Sequence, residues 1–252
     1  KMNEENTETV LKSDFHIDTL NDTEALNVMF QNHLKAFFAV EQALSSIKLT
    51  VIKMVDLLSK NTNSKIIYVG AGTSARIGVQ DGVELYPTFG WPSKRVSFII
   101  AGGKKALLKS VEGAEDLKNK NIQEIVKDII KPEDIVIGLA ASGSTKFTVD
   151  VIKFANKVGA FTIGISNNTK TPLEKNSNIS INLNTGAEIV AGSTRLKAVT
   201  AQKICLNLIS TLVMTRLGRV KKGMMNNLVV TNKKLSIRQK QIKFLLSKIE
   251  GT

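Results

Sequence analysis

Two glycine-rich turns have the composition of a phosphate-binding site. The first is the segment GAGTSAR at residues 70–76, and the second is ASGST at residues 141–145. Glycine lets the backbone turn sharply and approach a ligand closely, and the hydroxyl side chains add hydrogen-bond donors. Where a helix follows such a turn, its unpaired N–H groups and positive dipole end favour an anion. Because the design occurs twice, we favour a phosphate site over purely structural glycines. The predicted binding residues are Gly72, Thr73, Ser74, Ser142, Gly143, Ser144 and Thr145.

Two better-known nucleotide motifs do not fit these turns. The first turn matches the relaxed dinucleotide fingerprint Gly-x-Gly-x-x-Ala, which requires an acidic residue about 20 positions further on. The corresponding strand ends instead in AGG at residues 101–103, without a carboxylate that could bind a ribose. The Gly-Lys-Ser/Thr ending of a nucleotide-phosphate loop is also absent from the sequence. The predicted ligand is therefore a phosphorylated small molecule without a nucleotide.

Carboxylates are the groups best suited to acid–base chemistry in this sequence. Cys205 is the only cysteine, and its apolar surroundings indicate a buried structural side chain. His16 and His33 lack a metal-ligand spacing, and His33 fits a helical face as a packed side chain. We therefore expect no disulfide framework, no metal site and no histidine-based triad.

The turns need strands before them and helices after them, and the hydrophobic pattern predicts both. Short β-branched runs that stop at turn residues are typical of buried strands, and helix-period segments separate most of them. This alternation predicts an α/β fold with a doubly wound, mostly parallel five-stranded sheet, in which ligands bind at the carboxyl ends of the strands. The predicted strands are 65–69, 96–100, 135–140, 161–166 and 179–183, and the predicted helices include 122–130, 148–157 and about 193–217.

The sequence divides into three predicted parts. Residues 1–62 form an N-terminal helical region that packs on the core, with one or two helices over about 23–60 and a capping-box pattern at Asn21 and Glu24. Residues 63–220 form the sheet domain, and residues 221–252 form a basic C-terminal helical tail.

Most of the net charge of +13 lies in the C-terminal fifth of the sequence, which includes that tail. Residues 1–200 carry a net charge of only +3, whereas residues 201–252 hold 11 Lys and Arg against one acidic residue, Glu250. Phe244 is the only aromatic residue of the predicted tail helix, so interleaved stacking residues for single-stranded nucleic acid are missing. We expect a solvated or partner-facing helix and no nucleic-acid partner.

Two further observations favour a cytoplasmic protein without a membrane partner. The N-terminal segment KMNEENTETV is polar and has no apolar region of the kind found in signal peptides. The longest uncharged apolar-rich run, residues 204–215, has 12 residues, whereas a membrane helix needs about 20.

Several motifs carry a resemblance to a known family. The turn AASGST at 140–145 resembles the Ser/Thr turn with which sugar isomerase (SIS) domains hold a sugar phosphate. Other segments are similar, in the same order, to bacterial N-acetylmuramic acid 6-phosphate etherases, and the match covers about residues 17–230. These segments are GAGTSAR at 70–76, Glu84 with PTFG at 87–90, AGGKKALLKSVEGAED at 101–116 and TRLKAVTAQK at 194–203.

The resemblance implies a lyase of cell-wall recycling that cleaves the D-lactyl ether of N-acetylmuramic acid 6-phosphate. The family's acid–base pair falls on Glu84 and Glu115. One carboxylate removes the C2 proton of the ring-opened sugar, a carboxylic acid protonates the departing lactate, and water then adds. Two carboxyl groups with different pKa values suit this task, and no cofactor is required. We favour Glu84 as the donor to the leaving group, although the sequence leaves the two roles interchangeable.

The distance between Glu84 and the first turn predicts a second subunit. An unbroken helix from Ser74 would place Glu84 roughly 15 Å from the turn, which exceeds the length of a sugar phosphate. Either the helix bends at Gly82 or Glu84 serves a site in another subunit. We expect a homodimer with shared active sites, as the resemblance also implies.

Two other functions stay open. An aldose–ketose isomerase also begins by moving a C2 proton, and Glu188, close to Ser193 in the sequence, would be its base by resemblance to other SIS domains. Glu188 and Ser193 are also predicted phosphosugar-binding residues. Its alternative role is to stabilise the start of the 193–217 helix. A non-catalytic sugar-phosphate regulator is the other candidate, but the presence of both Glu84 and Glu115 argues against it.

The sequence departs from the etherase pattern in the second turn. Ser144 and Lys146 stand where the family commonly has Arg and Pro, and Lys146 is the residue that could supply the charge. The sequence also ends at Thr252, several tens of residues before family members usually end.

Overall fold

The computed structural model describes residues 6–13, 16–109, 111, 113, 119–230 and 233–250. Within these residues the chain forms five β-strands and eight α-helices. The strands are β1 (Ile66–Gly70), β2 (Val96–Ile100), β3 (Ile135–Leu139), β4 (Phe161–Ser166) and β5 (Ile179–Asn182). The helices are α1 (Asp22–Gln42), α2 (Leu44–Lys60), α3 (Gly72–Phe89), α4 (Asn119–Val126), α5 (Lys146–Val158), α6 (Pro172–Lys175), α7 (Lys197–Arg216) and α8 (Lys233–Glu250).

The five strands form one parallel sheet in the order β2-β1-β3-β4-β5. The predicted doubly wound α/β fold is therefore confirmed. The chain leaves β1 toward β2 on one side and returns to place β3 on the other side, so the order reverses between β1 and β3. Such a reversal opens a crevice at the carboxyl ends of the two strands. Both glycine-rich turns follow these strands, and the topology therefore places them side by side.

Helices cover both faces of the sheet because strand side chains alternate between the faces. On one face, Tyr68 and Ile137 pack with buried side chains of α1, α2 and α7. On the other face, Ile67 and Val136 pack with buried side chains of α4 and α5. The predicted helical region at 23–60 is confirmed as the two helices α1 and α2. The division of the chain into three parts stays a prediction.

Helix α7 is the central helix of the first layer. Its length and apolar composition would allow it to cross a membrane, but more than half of its most apolar window is buried inside the protein. It packs against α1, α2 and α3. Cys205 lies on its buried face, as predicted, and burial raises the pKa of that thiol, which keeps it protonated.

Helix α3 runs without a break from the first turn to Phe89. The turn and Glu84 therefore belong to one continuous helical segment that passes through Gly82. A Cβ at Gly82 would lie 2.6 Å from Phe98 Cε1 and 2.9 Å from Tyr68 Cε2. Gly82 is needed because α3 approaches β1 and β2 closely at this point.

Candidate active site

A pocket of about 520 Å³ opens at the carboxyl ends of β1 and β3. Its walls come from the two glycine-rich turns, from the segment before α7 and from the N-terminal segment of the chain. Six of the predicted binding residues line it together: Gly72, Thr73, Ser74, Ser142, Ser144 and Thr145. The structure therefore unites two segments that are about 70 residues apart in the sequence.

The N-termini of α3 and α5 both lie at this pocket. Helix α3 follows Ala71 and helix α5 follows Thr145, and neither end has a side-chain cap among the residues that the structure describes. The first intrahelical bonds run from Ala75 to Ala71 and from Val149 to Thr145. The preceding N–H groups of each first turn are thus directed away from the helix body, which is the usual arrangement of an anion site.

Internal hydrogen bonds shape the second turn. The N–H and the hydroxyl of Ser144 both donate to Ser142 Oγ, at 3.2 and 3.1 Å. Gly143 has a φ of +70°, and a Cβ there would lie 2.5 Å from Thr171 Cβ. The Gly143 carbonyl accepts a bond from Leu173 N–H at 3.0 Å. Gly143 therefore joins the turn to α6 and lies just outside the pocket lining.

Lys146 brings a positive charge to the pocket. It is the first residue of α5, it lines the pocket, and its Nζ forms an ion pair with Asp150 one helical turn further on. The side chain is about half exposed. Lys146 therefore lies where it could supply the positive charge that is missing at Ser144, which stands in place of the family's Arg.

Glu188 is held at the start of α7 and does not line the pocket. It is fully buried, and its carboxylate accepts the N–H of Ala198 at 2.9 Å and that of Lys197 at 3.3 Å. Burial raises its pKa, while the bond from Ala198 and the charge of Lys197 act in the opposite direction. The Lys197 Nζ is also buried and donates to the Ala187 carbonyl. This geometry matches the helix-stabilising role more closely than that of a base reaching a substrate.

Of the remaining predicted residues, the described Ser193 and Glu84 do not line the pocket. Ser193 donates its N–H to the Val190 carbonyl, while its neighbours Gly192 and Thr194 do line the pocket. Glu84 is exposed on α3, twelve residues after Gly72, which is roughly 18 Å along the helix axis. Glu115 lies outside the described residues, so its role stays a prediction.

Four lining residues outside the two turns were missed by sequence reasoning: Glu8, Gly192, Thr194 and Val199. Thr194 begins the motif TRLKAVTAQK, so a signal for it was available. Glu8 belongs to a polar segment without hydrophobic periodicity, and no local pattern pointed to it. Only the fold brings it beside residues of the second turn.

Family models of the SIS domain match the central part of the chain. The Glucokinase regulatory protein N-terminal SIS domain matches residues 50–156, and the SIS domain matches residues 108–212. Among solved structures, a phosphoheptose isomerase from Francisella tularensis superposes with a TM-score of 0.59 at 16% identity, covering 78% of this chain and 100% of that one. The c3406 protein of E. coli CFT073 gives a TM-score of 0.56 at 14% identity, covering 81% and 97%. At these identities the structures establish a shared fold.

Curated relatives share much more of the sequence. The chain is 42% identical over 227 residues to the N-acetylmuramic acid 6-phosphate etherase of Pasteurella multocida, covering 90% of this chain and 75% of the relative. The protein of the same name in Lactococcus lactis is 40% identical over 228 residues, covering 90% and 76%. That of Bacillus cereus strain 03BB102 is 43% identical with the same coverage. The chain thus spans about three quarters of the length of these relatives.

Proposed function

The chain belongs to the N-acetylmuramic acid 6-phosphate etherase family, and from this premise we propose how its pocket handles the substrate. The protein is an etherase, a carbon–oxygen lyase of amino-sugar metabolism. It cleaves the D-lactyl ether of N-acetylmuramic acid 6-phosphate and releases N-acetylglucosamine 6-phosphate and D-lactate. The proposal concerns the residues, the subunits and the location of this reaction.

The pocket binds the 6-phosphate between the N-termini of α3 and α5. The observation that carries this step is the meeting, in one cavity, of two helix N-termini that have no side-chain cap from the described residues. A phosphate there would receive backbone N–H groups from both helices, hydroxyl donors from Thr73 and Ser142, and the charge of Lys146. With the phosphate fixed at C6, the rest of the sugar extends along the cavity toward Thr194 and the N-terminal segment.

Glu84 and Glu115 then share the acid–base work. Elimination requires a base for the C2 proton and an acid for the lactate oxygen, and hydration requires the same groups in reverse. The pair rests on the family resemblance, and the exposure of Glu84 is compatible with a group that meets a substrate at a surface shared by two chains. The proposed chemistry needs neither a metal nor an organic cofactor.

A second copy of the chain supplies Glu84 to the pocket. Because α3 is continuous, Glu84 lies roughly 18 Å along the helix axis from the pocket end of its own chain. The surface around it is apolar, since the flanking Val83 and Tyr86 are 50% and 42% exposed. Helices that pack on the same α7 expose further large apolar side chains: Leu26, Phe30, Phe37, Phe38, Leu49 and Ile52. Exposed apolar surface of this extent is typical of a protein–protein interface and supports a homodimer with shared sites.

The enzyme works in the cytoplasm. Helix α7, which could span a membrane by length and composition, is packed in the core against α1, α2 and α3. Its packing supports a metabolic enzyme that meets its phosphorylated sugar in solution.

An assay of the purified protein with N-acetylmuramic acid 6-phosphate tests the proposal. We expect D-lactate and N-acetylglucosamine 6-phosphate in equal amounts, with inorganic phosphate as a competitive inhibitor. Conversion of a ketose phosphate without lactate release would support the isomerase instead. Binding of the phosphosugar without turnover of either substrate would support the regulator.

Mixing two inactive variants tests the shared site. Glu84→Ala removes the proposed acid, whereas Ser144→Glu places a negative charge in the phosphate pocket and repels the ligand. If sites are shared, hybrid dimers have one intact site each, so an equal mixture regains about a quarter of wild-type activity. Sedimentation of each variant first confirms that both still form dimers. Dimers that exchange subunits but regain no activity would contradict the shared site.

A further inference from the structure

The N-terminal segment of the chain is fixed against the pocket. Thr7 is fully buried, and its N–H donates to Asn168 Oδ1 at 3.0 Å, across 161 positions of sequence. Residues 6–9 form a compact turn in which Asn6 Oδ1 accepts the N–H of Glu8 at 2.9 Å. A polar segment without hydrophobic periodicity is thus ordered by specific hydrogen bonds, and a purely solvent-exposed terminus would not need them.

A chain of hydrogen bonds connects this segment to the second phosphate turn. Asn168 Nδ2 donates both to the Ser142 carbonyl at 3.3 Å and to Thr7 Oγ1 at 2.9 Å. The Thr7 hydroxyl in turn donates to Glu8 Oε1 at 3.0 Å. The Asn168 amide therefore ties the position of the Glu8 carboxylate to the turn that would hold the phosphate.

Glu8 forms part of the pocket wall. Its side chain is exposed to the cavity, and Glu8 Oε2 lies 4.0 Å from the position that a Cβ on Gly192 would take. Gly192 and Thr194 line the same pocket. One carboxylate oxygen is thus engaged by Thr7, while the other faces the wall that precedes α7.

A carboxylate at this place cannot serve the phosphate. Like charges repel, so Glu8 and a phosphate must occupy different ends of the cavity. A carboxylate is purely an acceptor when ionised, and its partners are O–H and N–H groups. The amino sugar offers such donors at its ring hydroxyls and at its acetamide, away from the phosphate.

We propose that Glu8 is a specificity-determining residue that accepts a hydrogen bond from a hydroxyl or the acetamide N–H of the amino sugar, with Thr7 and Asn168 as positioning residues. The inference rests on the proposed function because it takes the phosphate to lie between α3 and α5. The two ends of the pocket then divide the recognition: the helix N-termini bind the phosphate, and the N-terminal segment binds the uncharged part of the sugar.

Calorimetric titration with two ligands tests this division. The ligands are N-acetylglucosamine 6-phosphate and inorganic phosphate, added to the full chain carrying Glu8→Ala, Glu8→Gln or Thr7→Val. We expect Glu8→Ala to weaken the amino-sugar phosphate about tenfold, the effect of one lost charge-assisted hydrogen bond, and to leave inorganic phosphate unchanged. Glu8→Gln keeps an acceptor at position 8. Thr7→Val keeps Glu8 itself and removes the bond that orients it together with the bond from Asn168, so both variants should shift the same ratio by less. Glu124→Ala, at an exposed position of α4, is the matched control and should change neither affinity.

Two results would overturn the proposal. If Glu8→Ala weakens both ligands by the same factor, the segment only maintains the shape of the pocket. If it changes neither affinity, Glu8 does not contact the sugar. Lactate release by the wild-type protein is measured separately. If the wild type releases no lactate, but Glu8→Ala still weakens only the amino-sugar phosphate, the proposed reaction is refuted and the role of Glu8 stands.

Discussion

The N-terminus of α7 and the N-termini of α3 and α5 lie near one pocket and are occupied differently. At α7 the Glu188 carboxylate accepts the N–H groups of Lys197 and Ala198 and is fully buried. At α3 and α5 no side chain caps the helix among the described residues, and the cavity lies in front of both ends. A helix N-terminus favours an anion in each case. At α7 the protein places its own carboxylate at the helix N-terminus, which fixes the helix. At α3 and α5 the helix N-termini face the cavity, where the substrate phosphate would bind.

This comparison separates the glutamates that sequence reasoning had grouped together. Glu188 was a candidate sugar-binding residue and isomerase base, but both of its oxygens serve the backbone of α7. Glu84 was a candidate acid and is exposed far from its own pocket. The structure therefore favours a stabilising role for Glu188, whereas a role of Glu84 between subunits stays a proposal.

The largest expected effect is that of Glu188→Ala on stability. The substitution leaves two buried N–H groups and the buried Lys197 without the carboxylate, which costs about 4 kcal/mol of the free energy of unfolding. Urea denaturation followed by circular dichroism measures the loss. A variant that unfolds at the wild-type midpoint but has lost its activity would show that Glu188 acts on the substrate, and the contrast with α3 and α5 would then fail.

Gly143→Ala should have the next largest effect. At its φ of +70° a side chain is strained, and the new Cβ would lie 2.5 Å from Thr171 Cβ, so about 3 kcal/mol of stability is lost. The displaced turn should also bind phosphate more weakly. Gly218→Ala is the control, because φ there is +76° but no atom of the described residues lies within 4 Å of the new Cβ. It should cost about 1 kcal/mol through strain alone. Equal losses in the two variants would contradict close packing of the second turn on α6.

Ser142→Ala should act on binding more than on stability. Ser142 lines the pocket and accepts two bonds from Ser144, so its loss removes one donor to the phosphate and loosens the turn. We expect the KM for the phosphosugar to rise about tenfold with little change in the denaturation midpoint. Asn21→Ala removes the capping box of α1 at a position that does not line the pocket, and should show the opposite pattern: about 1 kcal/mol of stability lost and an unchanged KM. An equal change of KM in Ser142→Ala and Asn21→Ala would contradict a specific role of the second turn in phosphate binding.

Local patterns were sufficient to predict the strands and the turns. The runs at 96–100 and 161–166 coincide with β2 and β4 because β-branched residues between turn signals rarely form anything else. The two turns were found because glycines and hydroxyls at strand ends are a local signature. In contrast, the place of Glu8 depends on the Thr7–Asn168 contact, and no pattern in a short window of sequence contains that information. The roles of Glu188 were both considered from the sequence, but only the folded loop before α7 shows which N–H groups its carboxylate meets.

The smallest expected effect is a change in how stability depends on pH. Burial raises the pKa of Glu188 above the value of 4.5 expected in an unfolded chain. Between these two pKa values the folded protein keeps the proton that the unfolded chain releases, so the free energy of unfolding falls as the pH rises through that range. Glu188→Gln cannot ionise and lacks this contribution. The stability of the wild type relative to Glu188→Gln should therefore decrease as the pH is raised from about 4.5, as urea titrations at several pH values would measure. If that relative stability instead increased with pH, the α7 N–H groups and Lys197 would stabilise the ionised Glu188 carboxylate by more than burial destabilises it. The anion at α7 would then be held as favourably as the phosphate at α3 and α5.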